Sequence, residues 1–142
     1  MKRGCKLSNL DEYDRYISTE IPDKGKYPVL HNLVIKHMLH GPCGALNRKC
    51  PCMIDGECCF RYPRQFNLET QGKDSYPLYR RRVYGQRVKI RGAELGNRWV
   101  VLYNPGLLMR YNCHINVEAC SSMNACKYLF KYVYKGHDCA SF

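Results

Sequence analysis

His37-Met38-Leu39-His40-Gly41-Pro42-Cys43-Gly44, Cys50-Pro51-Cys52-Met53 and Gly56-Glu57-Cys58-Cys59 form three closely spaced blocks. They hold five of the ten cysteines and two of the five histidines of the 142-residue chain. In His40-x2-Cys43 the two intervening residues let both side chains turn onto one ion. Cys52 and Cys58 complete a set of three thiolates and one imidazole, the donor number of a tetrahedral structural zinc site. Glycines on either side permit tight turns around a metal. Cys50, Cys59 and His37 are spare candidates, because one site cannot use all seven residues. Four protein ligands would leave no open position for water, so the role expected of the zinc is structural. A loop this poor in apolar residues needs such a staple.

Working outward, residues 28–40 carry Leu30, Leu33, Val34, His37 and Met38 at three- and four-residue steps, which predicts a helix. Pro28 suits its first turn, and Gly41-Pro42 ends it. Residues 1–27 are polar and mixed, 41–63 form an aperiodic Gly/Pro/Cys loop, and Tyr76-Pro77 reads as extended. Arg82-Val83-Tyr84 and Val88-Lys89-Ile90 flank Gly85-Gln86, the pattern of a hairpin. Residues 99–103 form a second strand zone, stopped by Asn104-Pro105-Gly106. Residues 113–119 alternate, with Ile115 and Val117 on one face and His114, Asn116 and Glu118 on the other, as in a half-buried strand. A last helix is expected over 122–135, with Gly136 placed to cap it. The fold class expected is α+β: a small antiparallel sheet, flanking helices and a zinc-stapled loop in a single domain over 1–142. Its parts are the helix and Cys/His loop (28–63), a basic strand region (80–118) and the terminal helix (121–136).

Lys and Arg number 23 against 12 acids, a formal charge of +11 that suits a polyanion such as nucleic acid. The charge clusters: Arg80, Arg81, Arg82, Arg87, Lys89 and Arg91 are interleaved with Tyr79 and Tyr84. Guanidinium groups pair with phosphates and aromatic rings stack on unpaired bases, which points to single-stranded DNA. No apolar run approaches the roughly 20 residues of a membrane span. Met1-Lys2-Arg3-Gly4-Cys5 has no apolar stretch after it, so it does not read as a secretory signal, and a reducing intracellular compartment is expected. There, clustered cysteines bind metal more often than they form disulfides.

On a wheel of about 100° per residue, the terminal helix segregates cleanly. Ala125, Cys126, Leu129, Phe130 and Val133 fall on one side; Asn124, Lys127, Tyr128, Lys131, Tyr132 and Lys135 fall on the other. Tyr128 and Tyr132 therefore stand on adjacent turns of one face among lysines. A phenol so placed can attack a DNA phosphodiester and form a phosphotyrosine link, while the ammonium groups favour the phenolate. The alternative is a solvated amphipathic helix.

Residues 127–138, Lys-Tyr-Leu-Phe-Lys-Tyr-Val-Tyr-Lys-Gly-His-Asp, resemble the two-tyrosine motif of Helitron rolling-circle replication initiators. The run 111–118 resembles the strand that leads into it. His40-Gly41-Pro42-Cys43-Gly44 with Pro51-Cys52-Met53, and Tyr76-Pro77-Leu78-Tyr79-Arg80-Arg81-Arg82, are similar to the upstream blocks; 14–22 resembles the block before those. The resemblance runs in order along nearly the whole chain. It implies a nuclease and strand transferase of rolling-circle transposons, followed in full-length members by a helicase. Tyr128 and Tyr132 are then the nucleophile candidates, and Lys131 and Lys135 face the phosphate. Lys127 joins the DNA-contacting residues, and His40, Cys43, Cys52 and Cys58 match the Cys/His block.

Two departures qualify it. The family holds Mg²⁺ or Mn²⁺ with a His-hydrophobe-His motif that polarises the scissile phosphate, and no His-x-His pair occurs in this sequence. The order of the blocks places that motif before Met1, so an N-terminally truncated domain is expected, inefficient at nicking by itself. No G-x-x-x-x-G-K-[ST] loop is present either, so the helicase function does not reside here. A stand-alone zinc-containing nucleic-acid-binding module and a non-functional relic of a decayed transposon are the competing expectations.

Overall fold

A computed structural model describes residues 10–72, 77–83 and 85–119. The expected two-tyrosine helix, with Lys127, Tyr128, Lys131, Tyr132 and Lys135, lies outside the described residues. The class is α+β. The described residues form three helices, α1 (Leu10–Tyr16), α2 (Pro28–His37) and α3 (Pro105–Tyr111), and two antiparallel hairpins. One hairpin joins β1 (Met53–Ile54) to β2 (Glu57–Cys58); the other joins β3 (Val88–Ile90) to β4 (Ala93–Leu95).

Helix α2 begins as expected, with Pro28 in its first turn, where the missing N–H costs nothing. It ends three residues earlier than the periodicity predicts. The Val101 amide donates to Met38 O and the His40 amide to Trp99 O, both at 2.8 Å, so the chain leaves the helix to pair with 99–101. Met38, fully buried, caps the helix instead.

Two helices fall where none is expected. Helix α1 lies in the polar N-terminal stretch, with Asp11 and Glu12 in its first turn and Arg15 in its last, matching the macrodipole. Helix α3 starts at the triplet read as a strand terminator. Asn104 is its N-cap, accepting from the Leu107 amide at 2.8 Å, and Pro105 opens the first turn. Asn112 ends it in the left-handed conformation at φ 47°.

The strand expectations need similar correction. The hairpin is not closed by Gly85-Gln86: β3 pairs with β4 through Arg91-Gly92, whose φ values of 48° and 82° are those of a type I′ turn. The 99–103 zone is a 3₁₀ turn through Trp99 followed by isolated bridges, Val100 to Leu39 and Tyr103 to Ser18. Residues 113–119 form no strand. Their alternation survives in burial, with Ile115, Val117 and Ala119 half-buried and His114, Asn116 and Glu118 exposed.

Two apolar clusters organise the described residues. Ile21, Val34, Met38, Val100, Tyr103 and Leu108 form a hydrophobic core where α2 packs against α3. The second is Cys43, Cys52, Cys58, Leu95 and Trp99. Leu39 and Val88 touch both clusters, so the second is docked on the first.

Candidate metal centre and adjoining cleft

Three of the five buried residues in the second cluster are thiols. The loop leaving α2 is tied to Trp99 by the His40 amide, which places His40 and then Cys43 beside the cluster. A turn closed by the Met53 amide on Cys50 O at 2.9 Å presents Cys52. The chain then reverses at Asp55-Gly56, with φ values of 51° and 83°, another type I′ turn, and returns Cys58 opposite Met53. The ligand atoms of His40, Cys43, Cys52 and Cys58 all lie within 4.8 Å of one another. Donors around a tetrahedral zinc ion stand roughly 3.7 Å apart, given Zn–S bonds of about 2.3 Å. Cys58 Sγ and His40 Nε2 are already 3.5 Å apart, so Nε2 is the nitrogen turned toward the thiols.

The spare candidates separate clearly. Cys50 Sγ is 3.4 Å from Cys52 Sγ but outside the group of four. Cys59 is exposed, and His37 Nε2 is bonded to Asn112 Oδ1 at 2.9 Å. The His40 ring is stacked on Tyr62 at 4.3 Å and 14°, and Phe60 meets it edge-on at 5.9 Å.

Burial and neighbouring charge set the protonation of these groups. Burial raises the Cys52 and Cys43 thiols above their ordinary values. Burial would raise Cys58 too, but backbone hydrogen bonds from Tyr62 and Phe60, with the Cys52 and Cys43 thiols, hold it below. Burial and the Arg64 charge lower His40, keeping its imidazole neutral and able to donate a lone pair. Three thiolates crowded out of water are tolerable when a multivalent cation neutralises them.

The basic cluster read from the sequence divides. The Arg81 guanidinium is buried, donating to Asn97 O and, at 2.9 Å, to Val100 O, so it cannot contact a phosphate as expected. Burial lowers its pKa to about 10. Arg82 grips Glu20 with contacts down to 2.7 Å, and Arg80 lies 3.5 Å from Asp14. These two guanidiniums are internal clasps rather than free phosphate ligands. Arg87, Lys89 and Arg91 are exposed on the β3–β4 hairpin, with Arg87 3.9 Å from Glu94.

A second basic surface escaped the sequence reading. Phe60-Arg61-Tyr62-Pro63-Arg64-Gln65-Phe66 intersperses rings and charges, a signal hidden because these residues straddle the end of the aperiodic loop. Arg64 lies over the Tyr62 ring at 5.1 Å and Arg98 over Phe66 at 5.4 Å. This arm forms one wall of a cleft of about 710 Å³, and His114, Asn116 and Glu118 all line it. The three polar residues grouped by alternation thus share one cleft beside His40. Partial burial in the cleft, despite its exposed position on the run, raises the Glu118 carboxyl against the pull of Arg64. No protein-family model and no curated protein matches this chain. No described helix is long and apolar enough to cross a membrane.

Proposed function

We propose that the chain is the tyrosine-bearing part of a Helitron-type rolling-circle nuclease domain, stapled by a structural zinc ion and binding single-stranded DNA in a nuclear or other intracellular setting. The observation that supports this most is the convergence of His40, Cys43, Cys52 and Cys58, the residues matched to the family's Cys/His block, from three separate stretches of sequence. Three thiols and an imidazole suit zinc above the harder divalent ions, and four protein ligands leave no position for substrate. Tyr128 and Tyr132 are the nucleophiles on this reading, with Lys131 and Lys135 toward the phosphate and Lys127 on the DNA path. Mg²⁺ or Mn²⁺ would be held by a His-x-His pair, and these 142 residues contain none. In the parent polypeptide the rest of the nuclease and the helicase are its partners.

The test uses zinc-loaded full chain and labelled single-stranded DNA with Mg²⁺ or Mn²⁺. The expected result is binding that weakens steeply with salt, one zinc per chain and no efficient nicking. Robust cleavage dependent on Tyr128 or Tyr132 would overturn the inactivity. Absence of binding, or of zinc, would overturn the reading as a whole.

One observation favours a second reading, a stand-alone zinc-containing nucleic-acid-binding module: among the described residues, the thiol cluster and the basic cleft draw all their groups from residues 40–118. Tight binding by a Tyr128→Phe, Tyr132→Phe double variant, with no tyrosine–DNA adduct formed by the parent, would favour the module.

A further inference from the structure

We infer that the single-stranded nucleic acid is held in the cleft between the 60–66 arm and the 113–119 run, against the metal cluster, and not on the β3–β4 hairpin. The inference rests on the polyanion-binding reading above and assigns it a site. A single strand needs phosphate ligands, a stacking face and groups that meet base edges. The cleft has all three. Arg61 and Arg64 are exposed and supply charge. Phe60, 57% exposed, offers an open ring beside the half-buried Tyr62. His114, Asn116 and Glu118 offer donors and acceptors along the opposite run.

The arm is also pre-organised. The Arg64 amide donates to Arg98 O at 3.0 Å and Arg98 Nε returns a bond to Arg64 O at 2.7 Å. Tyr62 is fixed against His40. Binding therefore orders few new side chains, which lowers its entropic cost. A volume of about 710 Å³ is within the range that encloses small-molecule ligands, so at least one nucleotide fits. The hairpin meets fewer of these needs. Arg87 is partly neutralised by Glu94, and β3 and β4 carry no aromatic residue.

The test is fluorescence anisotropy on the zinc-loaded full chain with a roughly 12-nucleotide oligothymidylate and the matching oligouridylate. An Arg61→Glu, Arg64→Glu variant is expected to bind on the order of tenfold more weakly, its salt dependence falling by about 0.7 for each phosphate that is no longer neutralised. A Lys89→Glu, Arg91→Glu variant is expected to stay within about threefold of the parent. Where the first variant loses metal or fold, Arg61→Ala with Phe60→Ala replaces it. Photo-crosslinking of an iodouracil-substituted strand is expected to label the 60–66 peptide. Labelling of 86–95, or loss of affinity confined to the hairpin variant, overturns the cleft while leaving the nucleic-acid reading standing. A parent chain that binds neither strand overturns both.

Discussion

Replacing Cys52 by Ser, or stripping the metal with a strong chelator, is expected to dismantle the second cluster while sparing the first. Among the described residues that cluster has Leu95 and Trp99 as its only fully apolar buried members beside three thiols, so hydrophobic burial alone supports it weakly. The first holds Val34, Met38, Val100, Tyr103 and Leu108 at 1% exposure or less and has no thiol among its described residues. Structural zinc contributes about 10–16 kcal/mol in small fingers at neutral pH, comparable with the roughly 5–15 kcal/mol that holds a whole domain. A loss of only about 4 kcal/mol would lower the melting temperature by about 10–25 °C at this size.

Trp99, the single tryptophan of the chain, gives the assay. It is 7% exposed, and its ring lies parallel to the His40 ring at 6.4 Å. Chelation should therefore shift its emission to the red. Amides over 41–62 should exchange faster while those of α2 stay protected, a sub-global opening. Cobalt substitution should give tetrahedral ligand-field bands with thiolate charge transfer in the parent and in Cys59→Ser. Cys50→Ser should also keep the metal, since Cys50 lies outside the group of four. Unchanged Trp99 emission and melting after chelation, with no metal found by elemental analysis, would refute the staple.

Three further outcomes are expected. Arg81→Met should cost about 2–5 kcal/mol in urea unfolding, because two buried carbonyls lose a charged donor; a stable variant that loses DNA affinity would restore Arg81 to the binding surface. Burial would raise the Glu20 carboxyl, but Arg82 holds it below its ordinary value, so the pair stabilises the fold above the unfolded carboxyl pKa and is lost as pH falls through the lower folded one. Glu20→Gln should accordingly cost about 1 kcal/mol at neutral pH, the pair being partly exposed, and flatten the acid limb of a stability–pH profile. Asn104→Ala removes both the α3 cap and the 2.7 Å bond to Tyr16 O, and should cost about 1–2 kcal/mol by denaturant titration, with Asn104→Asp keeping only the cap.

The Cys/His cluster was legible because ligand identity and short spacing are local properties. His40-x2-Cys43 needs one turn, and Cys52 and Cys58 are joined by the Asp55-Gly56 reversal. The start of α2 was legible for the same reason: Pro28 declares it. Its end was not, because the cause is the pairing of 38–40 with 99–101, some sixty residues away. Asn104-Pro105-Gly106 shows a different ambiguity. An Asn followed by Pro ends a strand and caps a helix with equal ease, and only the apolar residues after it, Leu107 and Leu108, pointed to α3. Gly85 attracted the hairpin assignment, yet at φ 134° it serves the approach of Asn97, whose Nδ2 would lie 3.1 Å from an added Cβ. The true turn puts an arginine at φ 48°, a conformation the sequence does not advertise.

Charge was the least legible property, because counting ignores direction. Residues 79–82 run extended, so side chains alternate between faces. Tyr79 and Arg81 are buried while Arg80 and Arg82 are half-buried. Once Tyr79 faces inward, Arg81 must follow it, and a guanidinium survives there only because the Asn97 and Val100 carbonyls meet it. Its neighbours then sit at the rim, where Asp14 and Glu20 from the N-terminal stretch neutralise them. Three consecutive arginines thus become a clasp between 14–20 and 97–100. Among the described residues, exposed positive charge is instead carried by residues spaced out in the sequence, including Arg61 and Arg64 on one arm and Arg87, Lys89 and Arg91 on the hairpin. A polyanion would respond to exposed charge, and the densest run in the sequence has its charges met internally by Asp14, Glu20 and two backbone carbonyls.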